Sequence, residues 1–246
     1  MTGVVSVILP IRGEAPFLAD ALASLAVQAE ALHEVLAVDD GMSDAARAAL
    51  GRARLPGLRI LQGPRRGPAA ARNVALAAAA GPVIGFLDDD DLWPADKLAR
   101  QLAHLARRPD DVAVGGRIEW FARWDGPAGR PLRDSAWQSV VHVNLGAYLF
   151  RREVFERLGP LDATLTFSED VDLILRLSDA GERFAILDRT TLYYRRHPGS
   201  MTAARSAAEE RDFRRVLLRS VRRRRLAGGL SAQSLAARLV PAEEEA

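Results

Sequence analysis

A short apolar run, Pro82-Val83-Ile84-Gly85-Phe86-Leu87, stops on four consecutive carboxylates, Asp88-Asp89-Asp90-Asp91, followed by Leu92-Trp93. Such a run predicts a buried strand of an α/β sheet. Open α/β sheets bind ligands beyond the C-terminal ends of their strands, where these acids fall. Adjacent like charges repel and raise one another's pKa values. Two readings stand at this point. A hard cation lies among the carboxylates, taking one or two of them and completing its shell with water and phosphate oxygens. Alternatively, the acids form a solvated turn before a helix that starts near Pro94.

The preceding chain repeats the alternation. Val4 to Pro10 reads as a strand, with Ile11-Arg12-Gly13-Glu14 as the loop at its end. Phe17 to Ala31 reads as a helix, with Leu18, Leu22, Leu25 and Leu32 at helical spacing. Glu34 to Val38 is a second strand, delivering Asp39-Asp40-Gly41-Met42-Ser43-Asp44. A short helix over 44–54 and a strand over Leu58 to Leu61 follow. Strand, helix and strand in quick succession imply right-handed crossovers and a parallel sheet. Gly67 and Pro68 open a helix through Arg72, Asn73 and the alanines up to Ala80, and Gly81-Pro82 stops it. Pro94 to Arg108 is amphipathic. A strand over Val112 to Val114 runs on toward Phe121, and 125–133 reads as a mobile loop.

The second half is less regular. Strands are expected over 140–143, 147–150, 184–187 and 192–194, and helices over 152–158 and 171–177. Arg195 to Thr202 is a polar loop. Ala207 to Arg225 is a very basic helix, and the end of the chain is expected to fray.

Composition excludes some chemistry. The 246 residues hold no cysteine, which rules out disulfides, thiolate metal sites and a Cys nucleophile. The net charge of +2 argues against a nucleic-acid binder. No apolar run approaches membrane-spanning length. Val4 to Ile11 contains a Ser and a Pro with no basic region before it, so it is not read as a signal peptide. The expected location is cytoplasmic, with the basic C-terminal helix offering peripheral contact to the inner face of a membrane.

Several residues carry two readings each. Asp39-Asp40 suits contacts to a base or ribose, yet Asp, Gly and Ser are ordinary turn and cap residues. Arg72 can neutralise a phosphate, brace carboxylates or simply be solvated. Glu169-Asp170 either complements a helix dipole, with Ser168 as cap, or supplies a general base. Asp172 and Arg176 fit a surface pair. His197 is a metal ligand or an exposed loop residue. Trp93 covers a ligand or fills the core.

Taken together, the order of Val5 to Pro10, Val38 to Asp44, Gly67 to Asn73, Leu87 to Trp93, Gly159 to Arg176 and Tyr194 to Thr202 resembles family 2 glycosyltransferases. These are inverting, nucleotide-sugar-dependent enzymes with the GT-A fold, and the resemblance spans about residues 4–202. It implies a Rossmann-like, mostly parallel sheet flanked by helices, with an irregular acceptor-side half. It also implies that Pro10, Arg12, Glu14, Asp39 and Asp40 hold the nucleotide base. Arg72 corresponds to the family's arginine after the third strand. Asp88-Asp89-Asp90 corresponds to its DXD motif, with Asp90 and Asp88 binding Mn²⁺ or Mg²⁺ and His197 assisting. Asp170 corresponds to its catalytic base. The expected donor is a UDP-linked sugar, and the acceptor hydroxyl is unspecified.

Three departures bear on this mapping. Arg12-Gly13 replaces the usual Tyr-Asn, and Gly41-Met42-Ser43 the usual Gly-Ser. The Gln-x-x-Arg-Trp motif and membrane helices of processive members are missing, which points to transfer of a single sugar. The expected organisation is a catalytic domain over 1–205, nucleotide-binding to about 115 and acceptor-side from 116, with a basic helix and tail over 206–246. The alternatives are a nucleotidyltransferase and a non-catalytic nucleotide-sugar binding protein.

Overall fold

The computed structural model describes residues 3–126, 129–134, 137–200 and 207–226. The expected tail beyond 226, and residues 201–202 of the polar loop, lie outside the described residues. The first half alternates β1 (Val5–Gly13), α1 (Leu18–Ala26), β2 (Leu32–Met42), α2 (Asp44–Arg52), β3 (Arg59–Gln62), α3 (Pro68–Ala78), β4 (Val83–Phe86), α4 (Lys97–Arg107) and β5 (Asp111–Phe121). The second half holds β6 (Trp124–Asp125), β7 (Arg130–Pro131), β8 (Gln138–Val140), β9 (Leu149–Arg151), α5 (Glu153–Leu158), α6 (Glu169–Asp179), β10 (Arg183–Arg195) and α7 (Ala207–Leu226).

The main sheet runs β10-β5-β9-β4-β1-β2-β3, with β8 added to β5. Strands β1, β2, β3 and β4 are mutually parallel where they pair, as are β5 and β10. The exception is β9, antiparallel to both β4 and β5 and joining the two parallel groups. Because β1 lies between β2 and β4, their C-terminal ends open on the same edge. One buried core runs through both halves of the chain.

Local chemistry explains these elements. Ala69, Ala71 and Ala75 on α3 are buried, and their small side chains let the helix approach the sheet closely. At the opposite edge Ser6 donates to Glu34 at 2.7 Å, the Gly81 amide donates to Ser6 Oγ, and the Ala80 amide donates to Glu34. These bonds satisfy a buried carboxylate where the strands begin. Phe86, Phe150 and Phe155 pack edge-to-face across β4, β9 and α5 at 5.7–6.0 Å. Each such pair contributes about 0.5–1.5 kcal/mol beyond its buried area. Trp93 fills the core: it is 2% exposed, donates Nε1–H to the Gly146 carbonyl at 3.0 Å, and packs so tightly over Gly85 that no Cβ fits there.

Several boundaries differ from the sequence reading. The first helix ends at Ala26, and a single 3₁₀ turn (Ala29–Ala31) leads into Leu32, which begins β2. The helical spacing of Leu32 was coincidental: the β2 pattern starts there. Helix α4 begins at Lys97, three residues after Pro94. The glycine- and proline-rich stretch after Phe121 forms the β6–β7 pair. The two strands expected over 184–194 are one 13-residue strand whose register on β5 shifts near Thr190. The 140–143 strand is β8, ending at Val140.

Lys97 is an unexpected core residue. It is fully buried, its Nζ has no hydrogen-bond partner among the described residues, and it lies 4.8 Å over the Trp93 ring. Burial holds its pKa well below the ordinary lysine value. The unfolded chain therefore binds the proton more readily, and folding stability rises with pH up to the unfolded lysine value of about 10.4. Lys97→Met is expected to raise Tm at neutral pH and to flatten the rise in Tm between neutral pH and pH 10; each kcal/mol gained corresponds to about 2–4 °C. Thermal melts across pH test this. A lower Tm for the variant at neutral pH would show that the ammonium is held charged on Trp93.

Candidate active site

The acids that end β4 form a tight turn, closed by the Asp91 amide donating to the Asp88 carbonyl at 3.2 Å. The four carboxylates take four different roles. Asp88 faces Arg72, whose Nη2 lies 2.5 Å from its Oδ1. Asp89 is raised to about 7 by burial and by the charges of Asp90 and Asp88, against the Arg12 backbone amide that donates to it. Asp90 is raised by burial and by Asp88, and its Oδ2 lies 3.0 Å from His197 Nε2. Asp91 is fully buried and pushed well up by burial and its neighbours. It accepts the Arg195 amide at 2.8 Å. The expected repulsion raises Asp89, Asp90 and Asp91, each of which feels the charge of Asp88.

Arg195 was missed as more than a loop residue. It ends β10, and its guanidinium lies over Phe17 and Phe121 at 4.2 and 4.9 Å. It donates to the Asp90 carbonyl at 2.9 Å and to Asp20 at 2.8 Å. Its side chain thus supplies buried positive charge directly beneath the acidic turn. Its position two residues before His197 at the end of a strand was the available signal.

Asp39 and Asp40 lie near the end of β2. The Asp39 carboxylate accepts the Gly41 and Met42 amides at 3.0 and 2.9 Å and pairs with Arg47. Burial opposes its charge, but these donors hold its pKa below the usual value. It closes the turn before α2, where Ser43 caps by accepting the Ala46 amide. Asp40 accepts the Arg65 amide at 2.5 Å, tying the loop after β3 to the end of β2. Pro10 pairs with Val38 in the β1–β2 ladder, and Arg12 and Glu14 are exposed at the end of β1.

Glu169 and Asp170 occupy the first turn of α6. Ser168 makes no side-chain cap; it holds φ +64°, a left-handed conformation costing a non-glycine residue roughly 1–2 kcal/mol. The Asp170 carboxylate instead accepts the Val171 amide at 2.7 Å. Burial and the adjacent Glu169 charge push Asp170 up to about 7, against the pull of Val171 and Arg72. Tyr148 is buried, and its burial and the Asp170 charge raise it. Asp172 and Arg176 do pair, at 2.8 Å, but Asp172 is buried, so this is not the expected surface pair.

One residue joins these groups. Arg72 is buried and reaches Asp88 with Nη2 and Glu169 with Nη1, both at 2.5 Å. Burial opposes its charge, yet the two carboxylates raise its pKa and keep it ionised. Asn73, next to it, donates to the Leu161 carbonyl at 2.8 Å and accepts the Leu161 amide at 3.0 Å. Helix α3 therefore holds both the acidic turn and the loop before α6. The structure brings Asp88, Arg72 and Asp170 together on one side and Asp90 with His197 on the other.

Removing one partner from a buried ion pair strands the others. Arg72→Met is expected to destabilise the fold by about 3 kcal/mol, the lower end for a broken buried pair because Asp88 is partly exposed. Arg72→Met with Glu169→Gln should recover a good part of that loss. Urea unfolding of the two variants measures it. Equal stability of wild type and Arg72→Met would mean the triad contributes nothing.

Residues 6–159, more than half of the chain, match the model of glycosyl transferase family 2. An uncharacterized glycosyltransferase, EpsJ of Bacillus subtilis, is 29% identical over 222 residues, covering 82% of this chain and 64% of that protein. The succinoglycan biosynthesis protein ExoU of Rhizobium meliloti is 33% identical over 205 residues, covering 74% and 59%. The chain thus spans about three-fifths of the length of these relatives. Among solved structures, the mannosyltransferase PcManGT from Pyrobaculum calidifontis, in complex with GDP-Man and Mn²⁺, superposes with a TM-score of 0.71 at 23% identity, covering 97% of this chain and 68% of that one. S. aureus TarS 1–349, in complex with UDP-GlcNAc, gives 0.65 at 20% identity, covering 89% and 66%. The fold is therefore GT-A, and the chain belongs to glycosyl transferase family 2.

Proposed function

We propose that this protein moves a single sugar from a nucleotide-diphospho-sugar to an acceptor hydroxyl with inversion, using Asp170 as general base. The observation that carries the reading is the Asp88–Arg72–Glu169 bridge, which places a buried carboxylate of near-neutral pKa beside an acidic strand end. A base with a pKa near the working pH combines availability with driving force.

The donor side rests on the ends of β1, β2 and β4. Asp40, Arg12, Glu14 and the Asp39 turn border the place for the base and ribose, and a UDP-linked donor is the reading retained. Arg72 spends both terminal amino groups on carboxylates, and its Nε is buried without a hydrogen-bond partner among the described residues, so in this reading it braces the site and does not grip a phosphate. Among the described residues no three acidic or His side chains are already gathered as a metal cage. Asp90 with His197, and the free oxygen of Asp88, still fit Mn²⁺ or Mg²⁺, which need few protein ligands when diphosphate and water complete the shell. Such a cation supplies positive charge to the leaving diphosphate and relieves the repulsion in the acidic turn.

Asp170 removes the proton of the acceptor hydroxyl as that oxygen attacks the anomeric carbon. The bond from that carbon to the diphosphate breaks on the opposite face, and the proton remains on Asp170. Glu169 keeps Asp170 proton-hungry, and Arg72 holds Glu169 in place. Family membership speaks against a nucleotidyltransferase. A non-catalytic binding protein remains the reading to defeat.

Asp170→Asn keeps size and removes the base. It is expected to lower transfer about 10²–10⁴-fold while leaving the Kd for UDP with Mn²⁺ nearly unchanged. Asp90→Asn should weaken UDP binding as EDTA does. Isothermal titration and a radiolabelled transfer assay separate the two effects. Near-normal transfer by Asp170→Asn would overturn the assignment, and equal UDP affinity with and without cation would remove the metal from it.

A further inference from the structure

The two faces of α7 differ. The inner face is committed to the domain: Val216 is buried against Leu165, Leu175 and Val171, and Asp179 accepts from Ser220, Arg223 and Arg224. Asp212 accepts the Thr166 and Phe167 amides at 2.9 and 3.2 Å. The outer face carries Phe213, Leu217, Leu218, Val221 and Leu226, all exposed; elsewhere among the described residues only Val27 and Ile60 are exposed large apolar side chains.

Arginines surround these apolar groups. Leu218, 70% exposed, sits three, four or seven residues from Arg211, Arg214, Arg215, Arg222 and Arg225. Those spacings put them on one helix face. Arg214 pairs with Glu210, whereas Arg215, Arg222 and Arg225 have no acidic partner among the described residues. Guanidinium groups ringing exposed leucines match a lipid interface, with phosphates for the charges and an acyl boundary for the apolar groups. A nucleic acid offers the phosphates but no place to bury Leu218 and Leu226. We propose that the outer face of α7 docks on an anionic lipid bilayer.

The inner-face contacts of Asp212 lie in the loop that leads to Asp170. Docking therefore holds that loop within about a helix diameter of the surface, where an acceptor carried in the membrane would lie. This last point rests on the glycosyltransferase reading; the docking itself does not.

Sedimentation of the full chain with vesicles at physiological salt tests it. Vesicles of phosphatidylcholine mixed with phosphatidylglycerol should retain about tenfold more protein than phosphatidylcholine alone, since basic residues near the surface are what the anionic leaflet attracts. The combined Arg215→Glu, Arg222→Glu and Arg225→Glu variant should fall to the neutral-vesicle level, and Leu218→Ser should bind less than wild type. Unchanged circular dichroism and UDP affinity would show that both variants are folded. Equal retention on the two compositions, retention on neither, wild-type binding by the triple variant, or preference for duplex RNA over the anionic vesicles would overturn the proposal. Loss of transfer in Asp170→Asn with vesicle binding intact keeps the two claims separate.

Discussion

Arg72 lies buried between the partly exposed Asp88 and the buried Glu169, and the two carboxylates offset the cost of burying its charge. A lone buried carboxylate would take up a proton, whereas a lone buried guanidinium stays charged and would destabilise the site. Arg72 and Glu169 are 97 residues apart, so the interaction closes only when the fold has brought α3 and α6 together. The alanines of α3 allow the helix to sit close to the sheet, and Asn73 fixes Leu161 by two hydrogen bonds. Without that fit the first turn of α6 has no reason to face the end of β4.

A second basic anchor works from the other direction. Arg195 reaches under the acidic turn from the end of β10 and is held between two aromatic rings. The acidic run is thus buttressed by Arg72 on one side and Arg195 on the other, while Asp89 and Asp90 keep raised pKa values. This residual charge stress is what a bound cation would relieve, and it lies at the C-terminal end of β4. The same division of labour recurs in α7, whose inner acids and arginines hold the loop before α6 while its outer face remains open.

Much of this was legible in the residues. The β-branched runs ending at Pro10, near Asp39 and at Asp88 are strands, since periodicity and position agree there. The Glu169-Asp170 pair does open a helix. What escaped was set by partners distant in sequence. The Asp39 carboxylate is consumed by its own turn and Arg47, and an isolated Asp-Asp pair cannot show which acid is spent. The antiparallel insertion of β9 rests on three residues, too few to carry a direction. The single strand over 183–195 is interrupted by Asp188-Arg189-Thr190, which reads as a break until β5 absorbs it as a register shift. Nothing local marks the burial of Lys97 at the start of an amphipathic helix.

In the proposed mechanism the buried Glu169-Asp170 pair, braced by Arg72, supplies the base. The most direct measurement is the transfer rate at saturating donor and acceptor from about pH 5.5 to 9, for wild type and Glu169→Gln. The base must be ionised to act, so the rate should rise with pH through an apparent midpoint near 7. Removing the Glu169 charge takes away a neighbour that raises Asp170, so the midpoint should move to lower pH in Glu169→Gln. A rate independent of pH across this range, or a midpoint unmoved by Glu169→Gln, would rule out Asp170 as the base.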